Sequence, residues 1–337
     1  MLRRSKWVAA VCAAVVAAAV VVALPNGPAE AQPVSRARTT AVADDGARIA
    51  EEIRVDERTL DLRITSPALG TSGWVRLLLP RGWDTQTRTW PVLYLLHGAG
   101  EVQDYKSWTA FTDAAAFTAD KDVLVVLPSD GKAGMYSPWW NFGGSNKPDW
   151  ETFHVTEIRQ LIERGYGAGT VRAVAGLSIG GYGAMAYAFR HPGMFKAAAS
   201  YSGVLNTTIY GVPNFIQMIL MREGLNFYSL WGNEWMQRSI WTARNPYDNV
   251  EKLRGTRLYV SSGDGGTGPL DPPGNSPDVM IEPLAKLSSS SFTDRLKQAG
   301  IPVTTNYYGG GSHIWPYWQR EFKASWPVLA AGLGLPA

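Results

Sequence analysis

Residues 171–190 read VRAVAGLSIGGYGAMAYAFR: a short apolar run, a tight Gly-x-Ser-x-Gly turn at 176–180, and an alanine-rich stretch closed by Pro192. The first part has the length and branching of a buried strand, and the last part has the spacing of a helix. A strand that turns sharply into a helix is the repeating unit of a parallel sheet. Working outward, further short β-rich runs lie upstream at 91–96 and 123–127, and downstream at 197–201, 257–261 and 303–307. A helical pattern occupies 151–164, while 60–64 and 74–79 alternate like antiparallel strands. The expected fold class is therefore α/β, with a mostly parallel central sheet covered by helices on both faces.

Two stretches depart from that rhythm. Residues 204–250 form a long excursion between two strands, carrying Phe215, Met218, Met221, Phe227, Trp231, Trp235, Met236 and Trp241. They are expected to form an inserted helical cap, with these side chains either packing onto the sheet or walling an acyl-chain site. At the other end, Arg3, Arg4 and Lys6 precede an apolar run from Trp7 to Leu24, followed by Ala29-Glu30-Ala31. That order reads as a secretory signal peptide over 1–31, with a membrane anchor as the alternative. Residues 32–50 lack apolar periodicity and read as a flexible leader, which leaves 51–337 as one catalytic domain. Cys12, the single cysteine, falls inside the signal. An exported chain without disulfides must rely on an ordinary hydrophobic core, and this length can build one.

The 32 basic and 29 acidic residues give +3, which drops to about +1 once the signal takes three basic residues and one acidic one. So even a balance gives no reason to expect nucleic acid as a partner.

Chemistry centres on the turn. Glycines on both sides of Ser178 allow a strained strand-to-helix corner that pushes the hydroxyl out at the sheet's carboxyl end. A serine hydroxyl needs an imidazole to take its proton. Of the four histidines, His97 ends an upstream strand, His154 lies on a helix, and His191 precedes the helix-stopping proline. His313 follows the last strand in a glycine-rich loop, the place expected of a base that swings over the serine. Two backbone donors must meet the oxyanion: Ile179, after the nucleophile, and Ala99, in the His97-Gly98-Ala99-Gly100 loop. The acid that supports His313 falls among Asp264, Asp271, Asp278, Glu282 and Asp294, and topology alone favours Asp264. The chain has no His-Glu-x-x-His or cysteine cluster, so neither metal nor cofactor is expected.

These motifs, in this order, resemble the antigen 85 mycolyltransferases and the esterase D-type serine esterases of the α/β-hydrolase fold. The resemblance spans about 90–318. Besides the serine turn, it includes Asp104-Tyr105-x-x-Trp108, the aromatic cluster at 136–140, Trp150-Glu151-Thr152-Phe153, Asn245-Pro246 and Ser312-His313-x-Trp315-x-Tyr317-Trp318. It implies a triad of Ser178, His313 and Glu282, because the family's acid stands about ten residues before a helical phenylalanine, here Phe292. Trp315 matches a tryptophan of the sugar site. At His97 and Gly100 the transferases carry an aspartate and an arginine that face trehalose, so those two substrate-binding grips are expected to be missing. Ser262 stands where many of them have cysteine, a change expected to leave the triad untouched.

The resemblance implies a secreted bacterial enzyme near the cell envelope, acting on small-molecule or lipid esters. The expected reaction is ester hydrolysis through an acyl-enzyme. Acyl transfer to trehalose or another envelope sugar is the alternative, and a non-catalytic surface-binding protein is a third reading.

Overall fold

The computed structural model describes residues 40–83 and 88–337; the expected signal peptide and the first part of the expected leader lie outside them. Nine strands form one sheet in the order β1-β2-β3-β5-β4-β6-β7-β8-β9. β1 (Arg48–Arg54), β2 (Thr59–Ser66) and β3 (Thr71–Leu78) make an antiparallel meander, and β3 runs antiparallel to β5 (Leu124–Pro128). From β5 the sheet continues in parallel through β4 (Trp90–Leu96), β6 (Ala168–Leu177), β7 (Ala197–Tyr201), β8 (Arg257–Ser262) and β9 (Thr304–Tyr307).

Order begins earlier than the sequence suggested. β1 takes in the end of the expected leader, Ala43 and Ala47 are buried, and the Asp44 amide donates to Gln160 Oε1 at 2.7 Å. The pattern is hidden because a bulge between Ile49 and Glu51 breaks the alternation of faces, and because the inward Glu52 accepts a hydrogen bond from Tyr166 Oη at 2.6 Å.

Alternation along the parallel strands divides the core in two. Val92, Tyr94 and Leu96 face a layer that includes α1 (Arg159–Gly165) and α2 (Ile179–Arg190). Leu93, Leu95, Ala173, Ala175 and Ala199 face the opposite layer, where Phe322, Trp326 and Leu329 of the C-terminal helix pack. Between β7 and β8 the expected cap contains α3 (Val212–Arg222) and α4 (Arg238–Arg244). Its apolar side chains have divided roles. Phe215, Trp231 and Trp241 are buried, with Trp231 and Trp241 ring to ring at 5.1 Å, whereas Met218, Met221, Trp235 and Met236 face outward. α5 (Ile281–Gln298) precedes β9, and α6 (Trp315–Leu333) closes the chain. Among the described residues, no helix is long and apolar enough to cross a membrane.

Candidate active site

Ser178 sits between β6 and α2 with φ 52° and ψ −122°, a left-handed conformation that costs a non-glycine residue strain. The flanking glycines make the corner possible. A Cβ on Gly176 would come within 2.3 Å of Gly180 O, and one on Gly180 within 2.5 Å of His97 O, so helix, strand and neighbouring loop meet with no room for side chains. The Ser178 amide donates to Tyr201 O at 2.9 Å, tying the turn to the end of β7. Ile179 opens α2, where first-turn amides have no acceptor within the helix.

The next strand ends supply the remaining groups. His313, between β9 and α6, donates from Nδ1 to Glu282 Oε2 at 2.6 Å. Glu282 is fully buried in the first turn of α5. Its other oxygen, Oε1, accepts from Ser202 Oγ at 2.8 Å, Ser262 Oγ at 2.9 Å and the Gly263 amide at 2.6 Å. Asp278 fixes that turn from before it, accepting the Met280, Ile281 and Glu282 amides. Trp318 places its ring edge-on to His313 at 4.8 Å and donates from Nε1 to Ser202 Oγ at 3.1 Å. Ser202 thus bridges Glu282 and the aromatic wall behind His313, and it directly follows Tyr201, the residue that holds the serine turn.

The other acids have different tasks. Asp264, which topology favoured, accepts the Gly266 amide at 3.0 Å and the Gly310 amide at 2.9 Å; these loop bonds hold its carboxyl below the usual range. Asp271 receives Tyr317 Oη at 2.6 Å, the Gly268 amide at 2.8 Å and the Ser312 hydroxyl. Asp294 pairs with Lys297 on the exposed side of α5.

His97 is not a substrate contact. Its ring is buried, Nδ1 donates to Gly98 O at 2.7 Å, and Nε2 lies 3.0 Å from the Asp130 amide and 3.3 Å from Asp104 Oδ2. Burial pulls the imidazole pKa down, yet Asp104 outweighs it and leaves the value raised. The backbone is held as well, because Tyr136 Oη donates to His97 O at 2.9 Å. The histidine therefore shapes the loop bearing Ala99, whose amide has no intramolecular acceptor among the described residues. Gly100 has φ 86°, and a Cβ there would meet Arg222 Nη2 at 2.8 Å, so a cap guanidinium already occupies the space beside it. Ser262, whose replacement of cysteine was expected to leave the triad untouched, donates directly to Glu282 Oε1.

Trp315 is half-buried, stacked on Phe111 at 5.2 Å and edge-on to Trp318 at 5.4 Å. Glu101, which the sequence reading passed over, lies against the Trp315 indole and the Ser107 hydroxyl, and burial lifts its carboxyl above the usual range. Its signal was its place immediately after the His97–Gly100 loop. Among the described residues, no group of three or more histidines, cysteines or acids is placed to hold a metal.

The Esterase family model ("Putative esterase") matches residues 66–329. The esterase Rv1288 of Mycobacterium tuberculosis is 34% identical over 275 residues, covering 79% of this chain but 58% of its own length. This chain therefore spans little more than half of that relative. The diacylglycerol acyltransferase/mycolyltransferase Ag85B of Mycolicibacterium smegmatis is 31% identical over 252 residues, covering 72% of this chain and 77% of its own. Among solved structures, Mycobacterium tuberculosis MPT51 (FbpC1) superposes with a TM-score of 0.67 at 24% identity, over 80% of this chain and 96% of its own. An S-formylglutathione hydrolase from Agrobacterium tumefaciens gives 0.66 at 15%, over 85% and 99%. At these identities the two likenesses are of fold.

Proposed function

This chain belongs to the Esterase family, and from that premise we propose that it is an exported serine enzyme that cleaves carboxylic esters through an acyl-enzyme on Ser178. The observation that carries the proposal is the His313–Glu282 pair, held by a fully satisfied buried carboxylate at the same end of the sheet as the strained serine turn.

In this reading, Glu282 keeps the His313 proton on Nδ1 and leaves Nε2 free to accept. Ser178 Oγ attacks the ester carbonyl carbon while His313 Nε2 takes its proton, and the tetrahedral oxyanion is met by the Ala99 and Ile179 amides. Collapse breaks the bond to the alcohol oxygen, which leaves with the proton from His313. Water then enters, loses a proton to the same nitrogen, and releases the acid and the free serine.

Hydrolysis is favoured over transfer because neither His97 nor Gly100 offers the acceptor a side-chain grip. Acyl transfer to a sugar hydroxyl is the second reading, and Glu101 beside Trp315 is the observation in its favour: a ring to stack on a sugar and a carboxylate to orient a hydroxyl. Turnover of short- and long-chain esters by wild type and Ser178→Ala, with and without trehalose and with products identified by mass, tests both. Ser178→Ala should lose several orders of magnitude in rate with little change in melting temperature. Residual activity within tenfold of wild type would remove Ser178 as the nucleophile.

A further inference from the structure

The cap leaves four large apolar side chains in water: Met218 is 41% exposed, Met221 59%, Trp235 78% and Met236 81%. The two segments that carry them are tied together by a side-chain hydrogen bond. Met218 and Met221 lie on the outer side of α3, opposite its buried Phe215, Ile216, Ile219 and Leu220. Gln217 Nε2 donates to Glu234 Oε2 at 2.9 Å, bringing the turn that carries Trp235 and Met236 against the same side. That turn is built rather than frayed. Asn233 Oδ1 accepts the Trp235 amide at 2.9 Å and the Met236 amide at 3.0 Å, so both side chains are presented outward by a fixed backbone.

The surface also edges the site. At the start of α3, a Cβ on Gly211 would lie 3.8 Å from Leu284 on α5, the helix of Glu282; at its end, Arg222 reaches the Gly100 loop. α3 therefore runs from the helix of the acid to the oxyanion loop, with its methionines turned away from the core. Basic groups flank the apolar ones. Arg222 is half-exposed, with Glu223 beside it at 2.9 Å, and the exposed Arg238 has no ion-pair partner among the described residues.

The mixture decides the partner. Four side chains offer on the order of 400 Å² of apolar contact, about half of what each partner gives a stable protein interface. For a lipid layer the same area suffices, because tryptophan settles at headgroup depth, flexible methionines enter the acyl boundary, and arginine meets phosphate.

We propose that the outer side of α3 and the 233–237 turn dock the enzyme onto a lipid surface bearing anionic headgroups, bringing the cleft to lipid esters in that layer. The proposal rests on the esterase reading for the identity of the cleft, while docking itself needs no chemistry. The exported form, beginning after Ala31 and so without the apolar run at 7–24, would be sedimented with phosphatidylcholine vesicles and with vesicles of equal parts phosphatidylcholine and phosphatidylglycerol. Binding should be stronger to the mixed vesicles and should weaken at least about tenfold in a Trp235→Ser, Met236→Ser double variant. Arg238→Gln should lose mainly the salt-sensitive part. The double variant, with an unchanged melting curve, should hydrolyse a soluble acetate ester like wild type but lose turnover of emulsified long-chain esters. Wild type that ignores both vesicles, or a double variant that binds like wild type, overturns docking. So does a vesicle-indifferent protein whose self-association disappears in the double variant, since the occupant is then a second copy. A protein that binds vesicles but turns over no soluble ester would keep docking and refute the esterase reading instead.

Discussion

Replacing Glu282 with glutamine changes one atom in a site whose hydrogen bonds dictate how the new side chain must sit. Three donors, Ser202 Oγ, Ser262 Oγ and the Gly263 amide, converge on Oε1. Only the amide oxygen can take that place, so the glutamine NH2 is forced toward His313 Nδ1, where Oε2 now lies at 2.6 Å. Nδ1 must then accept, and the ring proton moves to Nε2, the atom that has to receive the serine proton. A wrong-tautomer histidine of this kind is known to lower kcat by about 10⁴ in serine proteases, roughly 5.5 kcal/mol of transition-state stabilisation. Since the oxygen keeps its three donors, folding should lose no more than about 1 kcal/mol. Glu282→Ala differs: it leaves those buried donors unpaired, at about 1–3 kcal/mol each, and should lower the melting temperature as well as the rate. The assay is kcat/KM on a soluble butyrate ester, with melting curves alongside. As the control, Asp264→Asn touches only two loop amides and should cost less than about threefold. Glu282→Gln within tenfold of wild type, or Asp264→Asn as the crippling change, would refute the assignment.

Restoring the transferase side chains with His97→Asp and Gly100→Arg should not restore transfer. The new aspartate would be buried near Asp104 and Asp130, and the new arginine would be forced onto Arg222 from a positive-φ position, so the double variant should melt several degrees lower. With wild type, millimolar trehalose should divert less than half of the acyl groups, and Glu101→Gln should reduce that fraction while leaving hydrolysis of soluble esters unchanged, as product masses will tell. Burial lifts the Glu151 carboxyl, but His191 at 2.8 Å and Arg190 at 2.7 Å outweigh it and hold its pKa below the ordinary range. Its stabilisation is therefore present above the ordinary carboxyl range of about 4 and fades as pH falls through the lower folded value. Glu151→Gln should cost roughly 2 kcal/mol near neutral pH, the loss of charged hydrogen bonds to part-buried partners, with the gap to wild type closing in acid; a gap that widens there would reverse the sign.

The parts legible in the sequence were those governed by local rules. Alternation and apolar run length marked the eight strands from β2 to β9, and Gly176 and Gly180 around Ser178 marked the corner, because only glycine fits where three backbones meet. β1 was lost because a bulge and an inward glutamate erase its period. Glu282 came from resemblance rather than from spacing, since five acids share that stretch of chain and only the folded structure sets one of them, Glu282, against His313. Ser202 carries no signature at all: a serine at φ 50° after an alanine-rich strand looks like any turn residue until Glu282 and Trp318 are seen to converge on it. His97 was read only as a position where a sugar grip is missing; its support of the loop, through burial and the Asp104–Asp130 contacts, has no local signature in the sequence.

The most direct test of the central claim is to quench the enzyme in acid during turnover of a long-chain ester, digest it, and locate the added acyl mass. The account predicts one modified peptide, the one containing Ser178, carrying an added mass equal to the carboxylic acid less water, and no adduct in Glu282→Gln on the same timescale. An acyl group on any other residue, or steady turnover with no covalent species under conditions where deacylation limits the rate, would contradict it.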